Sequence, residues 1–306
     1  MRKSRVEGHE IAIPGSIGNL GAGFDTLGLA VSLYVRVRIT RTIADGKGRV
    51  VCRFAGRPPV GPNLIERAFR HQATDRTTPS VEVEVRSEIP PRAGLGSSAA
   101  ATIAGLRLRT LFDGARTLPE IAAVAADIEG HPDNAAASVF GGLTSSCRAD
   151  DGTLHVVRWN WPEAWKVLVV TPDVQLSTHA SRRVLPTSIP FEDAVFNLQR
   201  VALLLGAVQQ KDERLLVHAF EDRFHQRYRQ PLVPVLRGAL ALEHPGLLGV
   251  CLSGAGPSIV AFTRRETAGV ERALRRLYRG AGVPCSIRRL VVHSPRTRPV
   301  RHRSAR

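Results

Sequence analysis

The twelve residues Pro90 to Ala101, PPRAGLGSSAAA, offer the first recognisable chemistry in the chain. Gly94 and Gly96 carry no side chain, so backbone N–H groups can approach an anion closely there. Ser97 and Ser98 stand where a helical turn should begin. Their hydroxyls can cap the helix, contact phosphate oxygens or reach a magnesium ion. Open N–H groups and the positive end of the helix dipole favour an anion at such a start. The alanines that follow let the helix pack tightly behind the loop. No Gly-Lys-Ser/Thr is present, so this is not a Walker A loop, and it is not a dinucleotide glycine fingerprint in a parallel unit. On glycine and serine alone, an ordinary strand–turn–helix with a serine cap fits equally well.

Other polar residues are less telling by type. Glu129 reads as a solvated acid at a helix end, and His131 as structural or exposed. Asp133-Asn134 reads as a turn or N-cap pair before a helix of small residues. Arg182 and Arg229 read singly as surface charge, since the chain holds 43 Lys and Arg. Two arginines together can also make a planar, charge-assisted clamp for a carboxylate.

These residues need elements to hold them. Val31, Leu33, Val35, Val37 and Ile39 alternate with more polar residues, as do Val81, Val83 and Val85, so both stretches predict half-buried strands. Helices are expected from about Ser97 to Leu111 and from Pro119 to Ile128, the latter with proline in its first turn. Lys166 to Val170 predicts a short buried strand, and Glu192 to Gln210 and Glu213 to Arg229 predict amphipathic helices. Gly249 to Phe262 reads strand, glycine-rich loop, strand; Glu266 to Tyr278 reads helix; Val283 to Val292 reads as a last strand. Strands and helices mix without strict βαβ alternation, which predicts an α+β fold in two lobes with a boundary near residues 150 to 165.

Bulk properties narrow the function. The 306 residues are 43% hydrophobic and 23% charged, ordinary for a globular protein. No apolar run is long enough to span a membrane, and MRKSRVEGHE lacks the apolar stretch of a secretory signal. Cys52, Cys147, Cys251 and Cys285 are far apart with no CxxC pair, which argues against a zinc site or a disulfide framework and fits the cytoplasm. The formal charge of +16 raises the question of nucleic acid. Five of the arginines lie in residues 294–306, read as a basic disordered tail, and the rest are spread without aromatic interleaving. Nucleic acid is therefore not expected as a partner. A basic body also suits a small anionic ligand.

Taken whole, PPRAGLGSSAAA resembles the ATP-binding motif of the GHMP kinases, the family of galactokinase, homoserine kinase, mevalonate kinase and phosphomevalonate kinase. LSGAGPSIVAF, Leu252 to Phe262, resembles the family's third motif, and IPGSIGNLGAGFDTLGLAV, Ile13 to Val31, its first motif in the homoserine kinase form. IEGHPDNAAASVFGGL, LSTHASRRVLP and EDRFHQRYRQPLVP resemble further segments of that branch. The resemblance implies a two-lobed GHMP fold: a ribosomal protein S5 domain 2-like lobe over residues 1–158 and a ferredoxin-like lobe over 159–293. It implies ATP and Mg2+ as cofactors and L-homoserine as substrate, giving O-phospho-L-homoserine in threonine biosynthesis. It is compatible with a homodimer.

Site residues carry over one by one. Asn63, the loop Pro91, Arg92, Ala93, Gly94, Leu95, Gly96, Ser97, Ser98, Ala99 and Ala100, and Gly254 would bind the nucleotide, Asn63 at its base. Ser98 and Glu129 would hold the magnesium. Asn19, Asp25, His131, Asp133, Thr178, Arg182 and Arg229 would bind the amino acid, with Asp25 on its ammonium and the two arginines on its carboxylate. Asn19, Asp133 and Asn134 would serve catalysis. Proximity and metal would carry the reaction, with the γ-phosphate taking the proton and Asp133 as the alternative base, because no lysine stands in the first motif. Gly18 and Ala22 depart from the family's usual Ala and Pro, and Gly105 in the helix behind the loop should weaken that helix. The remaining alternatives are a mevalonate- or sugar-type kinase and a catalytically silent nucleotide-binding homologue.

Overall fold

Strands β1 (Glu10–Gly18) and β2 (Leu27–Ile43) pair antiparallel and form the spine of the first sheet. The first five residues of β2 are buried, and beyond them Leu33, Val35, Val37 and Ile39 alternate with half-exposed or exposed neighbours. A sheet with one wet face requires that pattern. The computed structural model describes residues 6–295 apart from 57, 59, 60, 72–77 and 115, so the tail expected over 294–306 lies outside the described residues from 296 onward.

Next in chain order come β3 (Val50–Phe54), α1 (Leu64–Phe69), β4 (Ser80–Ser87), α2 (Ser97–Asp113), α3 (Leu118–Glu129), α4 (Asp133–Phe140), β5 (Leu143–Arg148) and β6 (Leu154–Trp159). The first sheet runs β3-β4-β2-β5-β6, with β1 on β2 off that path. Helices α2 and α4 pack on β1 and β2, and α3 packs on both. Helix α3 starts at a capping box between Thr117 and Glu120 and stops at Gly130 in the left-handed conformation. The stop is followed at once by α4, so Glu129 ends one helix and Asp133 begins the next.

The rest comprises β7 (Lys166–Pro172), α5 (Thr178–Arg183), α6 (Phe191–Gln210), a 3-10 turn over Glu213–Val217, α7 (Gln226–Arg229), α8 (Leu236–Leu240), β8 (Leu247–Leu252), β9 (Ile259–Thr263), α9 (Ala268–Gly280) and β10 (Cys285–Leu290). Its sheet is antiparallel in the order β10-β7-β9-β8, the ferredoxin-like arrangement. β7 is buried on both faces: Val167 and Val169 join the core of the first sheet, and Leu168 and Val170 join a second cluster with Leu236, Val270 and Leu274. A one-residue slip would exchange the two sets. No helix among the described residues is long and apolar enough to cross a membrane.

Three local expectations fail. The single helix over Glu213 to Arg229 is instead a 3-10 turn, a loop and the short α7. The cause is Asp222, whose carboxylate accepts the N–H groups of Phe224, His225 and Gln226 and so starts a new helix where the old one would continue. The last strand ends at Leu290, and Val292 makes only an isolated bridge to Val31. Gly105, read as a weakness, is a packing requirement. A Cβ there would collide with the Ile65 carbonyl oxygen and come within 2.8 Å of the Ala68 Cβ, so the glycine lets α1 lie against α2. Gly105→Ala should therefore lower the thermal midpoint, with an overpacking cost of about 1–3 kcal/mol outweighing the roughly 1 kcal/mol gained in helix propensity. A calorimetric scan showing a raised midpoint would defeat this reading.

Candidate active site

The glycine loop and the end of β1 are one construction. The Ser16 N–H donates to the Leu95 carbonyl at 3.1 Å, tying the loop to the strand that leads into Asn19. Gly94 and Gly96 have φ of +73° and +69°, which side chains rarely adopt. A Cβ on Gly96 would strike the Ser16 hydroxyl, and one on Gly94 the Ser253 carbonyl. The sequence reading assigned Gly96 to close approach of a phosphate; the structure shows that the space it leaves is filled by the protein itself. The side chains of Ala93, Leu95, Ala99 and Ala100 are buried, so these residues can meet a ligand only through backbone, while Pro91 and Arg92 are exposed.

The expected serine cap is also absent. Gly96 is the N-cap of α2 and no side chain caps it. Ser98 Oγ donates instead to Glu129 Oε1 at 2.9 Å, and Thr102 Oγ1 donates to the same oxygen at 2.9 Å. The first turn of α2 thus keeps its uncapped N–H groups beside a carboxylate and two hydroxyls. These are hard oxygen donors of the kind magnesium takes, so the residues present fit that ion. Asn63 is placed as the N-cap of α1, its Oδ1 accepting the Glu66 N–H at 3.2 Å and its Nδ2 donating to Cys52 Sγ at 3.3 Å. That commitment of both amide ends is not what a contact to a nucleotide base requires.

A second polar cluster lies where β1 ends and α4 begins. Asn19 sits at φ +72°, buried, with Nδ2 donating to the Gly254 carbonyl and Oδ1 accepting the Asp25 N–H, both at 3.0 Å. Gly254, expected at the nucleotide, lies between the two clusters: a Cβ on it would stand 3.3 Å from the Gly94 carbonyl oxygen, its N–H donates to the Gly18 carbonyl, and its own carbonyl accepts from both Asn19 and Arg229. Asp133 is buried, with Oδ1 accepting His131 Nδ1 at 2.7 Å and Asn134 Nδ2 at 3.4 Å. Asn134 is held in turn by Ser16, and Ser138 donates to Ser16. A Cβ on Gly18 would collide with Asp133 Oδ2, so the departure from alanine at this position makes room for that carboxylate.

The two arginines are placed differently. Arg182 Nη1 and Nη2 grip Asp25 as a fork at 3.0 and 2.8 Å. The acid expected on an ammonium and the base expected on a carboxylate therefore hold each other. Arg229 is buried and bonds to the Ser181 carbonyl, the Gly254 carbonyl and His225 Nδ1. The Phe24 ring lies 5.6 Å from the Arg182 guanidinium and 5.5 Å from that of Arg229. Thr178 is exposed, one turn before Arg182 on α5. Asp25, His131 and Asp133 lie together, each offering a ligand atom within 4.8 Å of the others.

The charges respond to this crowding. Burial opposes a charged His131, but Asp133 on its Nδ1 and the nearby Asp25 outweigh it and hold the imidazole above its ordinary value. Burial and the neighbouring Arg182 push Arg229 down to about 10, so its guanidinium remains a cation at neutral pH. The sequence reading does not single out Thr102, Ser16, Phe24 or His225. Thr102 was within its reach, since it follows Ser98 by four residues and must share its helix face.

Residues 63–142 match the family described as GHMP kinases N terminal domain, and residues 204–280 match the one described as GHMP kinases C terminal. The chain is 41% identical over 275 residues to a homoserine kinase of Solibacter usitatus, covering 88% of this chain and 90% of that protein. It is 36% identical over 290 residues to a homoserine kinase of Moorella thermoacetica, covering 92% and 96%. The crystal structure of homoserine kinase from Cytophaga hutchinsonii aligns with a TM-score of 0.79 at 24% identity, over 95% of this chain and 97% of that one, a likeness of fold.

Proposed function

This chain belongs to the GHMP kinases, and we propose that within them it is a homoserine kinase, transferring the γ-phosphate of ATP to the hydroxyl of L-homoserine to give O-phospho-L-homoserine in threonine biosynthesis. The observation that carries the amino-acid end is the Asp25–Arg182 pair beside Arg229. An amino acid presents one ammonium and one carboxylate. Asp25 can take the first and the two arginines the second, so the internal pair exchanges for contacts to both ends of the substrate. A neutral sugar offers nothing for that exchange.

The phosphate end is the uncapped start of α2, whose N–H groups and dipole receive the triphosphate. Ser98 and Glu129 would hold the magnesium, which would supply neutralisation of phosphate charge. Asp133 accepts from His131 and Asn134 and packs against Gly18, an arrangement that suits holding an imidazole in place. Among the described residues no lysine stands in this cluster. Alignment of the hydroxyl with the γ-phosphate then supplies most of the rate, and the phosphate oxygens take the proton. ATP turnover with L-homoserine, mevalonate, galactose and L-threonine in parallel tests this. Homoserine should be used far better than the others, and turnover of mevalonate or galactose without homoserine would overturn it.

A further inference from the structure

Among the described residues Arg229 is the largest fully buried side chain, and an imidazole holds it. His225 is buried and stands one turn before Arg229. Its Nδ1 lies 3.0 Å from Arg229 Nη1 and its Nε2 lies 2.9 Å from the Gly21 carbonyl oxygen. A guanidinium can only donate, so Nδ1 must accept; a carbonyl can only accept, so Nε2 must carry the hydrogen. The two contacts together allow a single form of the ring, neutral and protonated at Nε2.

Asp222 lies 3.6 Å from His225 Nε2, close enough to suggest a histidine–carboxylate pair. Its lone pairs are already occupied, by Asn197 Nδ2 at 2.8 Å and by the backbone N–H groups of Phe224, His225 and Gln226 at 2.7 to 2.9 Å. Asp222 therefore shapes the turn and leaves the imidazole to its other partners. Gln226 fastens the same turn to the second sheet by accepting the Leu252 N–H at 2.7 Å. Phe24 lies against the ring at 5.3 Å, and Asp25 is the other charge felt by it besides Asp222 and Arg229. Protonation at Nδ1 would set a donor against a donor and a cation against a cation.

We propose that His225 is a positioning residue for the substrate carboxylate: as the neutral Nε2–H tautomer it couples Arg229 to the Gly21 carbonyl, in the loop that carries Asn19 and Asp25. The ring then adds a second link between the two ends of the amino-acid site, beside the Gly254 carbonyl that Arg229 shares with Asn19. This rests on the reading of Arg229 as a carboxylate ligand. Without His225, Arg229 keeps its bonds to Ser181 and to the Gly254 carbonyl that it shares with Asn19, but loses its link to the Gly21 carbonyl.

His225→Leu in the full chain removes both contacts at similar volume. The KM for homoserine should rise about tenfold or more, from one lost bond to a charged group, while the KM for ATP stays within about twofold. 3-Aminopropan-1-ol, which is homoserine without its carboxylate, should be used equally by wild type and variant. His225→Asn, which keeps an acceptor near the Nδ1 position, should recover part of the loss. Arg229→Lys should cost less in the His225→Leu background than in the wild type. Nitrogen-15 spectra of the wild-type imidazoles supply a readout independent of whether the variants fold: one ring should stay neutral with Nε2–H from pH 5.5 to 8. An Nδ1–H or imidazolium form of His225 at pH 6, or equal losses with homoserine, the decarboxylated analogue and ATP, would overturn the proposal. A wild type that does not phosphorylate homoserine would overturn the functional reading and leave the tautomer result standing by itself.

Discussion

Glu129→Gln should lower turnover with homoserine by about 100- to 1,000-fold and leave the fold intact, a loss of roughly 3–4 kcal/mol of transition-state stabilisation. The amide keeps an Oε1 that can still accept from Ser98 and Thr102, so the contacts that hold the end of α3 against α2 persist. What disappears is the negative charge beside the open N-terminus of α2. In the resting enzyme that carboxylate is matched to two neutral hydroxyls, so no buried ion pair is broken by the change. Its value is realised only when a cation and the triphosphate arrive. The loss should accordingly appear in kcat and in the magnesium concentration needed for half-maximal rate, and little in the thermal midpoint. Wild-type turnover at ordinary magnesium would reduce Glu129 to a helix-end acid.

The contrast between Glu129 and Asp222 shows what could be read from the sequence. Glu129 sits in a string with His131, Asp133 and Asn134 whose roles the resemblance implied, and the contacts among the last three are local, within a few residues of one another. The glycines of the loop from Pro91 to Ala100 were legible locally, but the Ser16 and Ser253 atoms that fill the space beside Gly96 and Gly94 are not. Asp222 stood in a stretch with helical periodicity, and periodicity does not register a carboxylate that turns back onto three N–H groups. The packing reasons for Gly105 and Gly18 were not legible because the atoms that need their space, the Ile65 carbonyl and the Asp133 carboxylate, are far away in sequence. His225 was invisible for a further reason. Its two partners are a backbone oxygen 204 residues away and an arginine whose own burial depends on the fold.

Replacing the two arginines by lysine should separate substrate grip from stability. Arg182 and Asp25 each keep about a third of their side chains exposed, so their mutual attraction is screened and adds little to stability. Arg182→Lys should leave the thermal midpoint within about 2 °C and raise the KM for homoserine about tenfold, because one ammonium cannot reproduce the planar fork. Arg229 differs. It is buried and donates to two carbonyls and an imidazole, so lysine in its place leaves at least one of these acceptors unsatisfied. Arg229→Lys should therefore lower the midpoint by several degrees and raise the KM for homoserine by about 10- to 100-fold, from the 1.5–3 kcal/mol of a charge-assisted contact. Neither change should move the KM for ATP beyond about twofold, since the uncapped start of α2 receives the phosphates. The double variant should lose less than the product of the two single losses if both guanidiniums hold one carboxylate. A KM for ATP that rises while the KM for homoserine stands would assign these arginines to the phosphates and leave Asn19 and Asp25 as the only support for an amino-acid substrate.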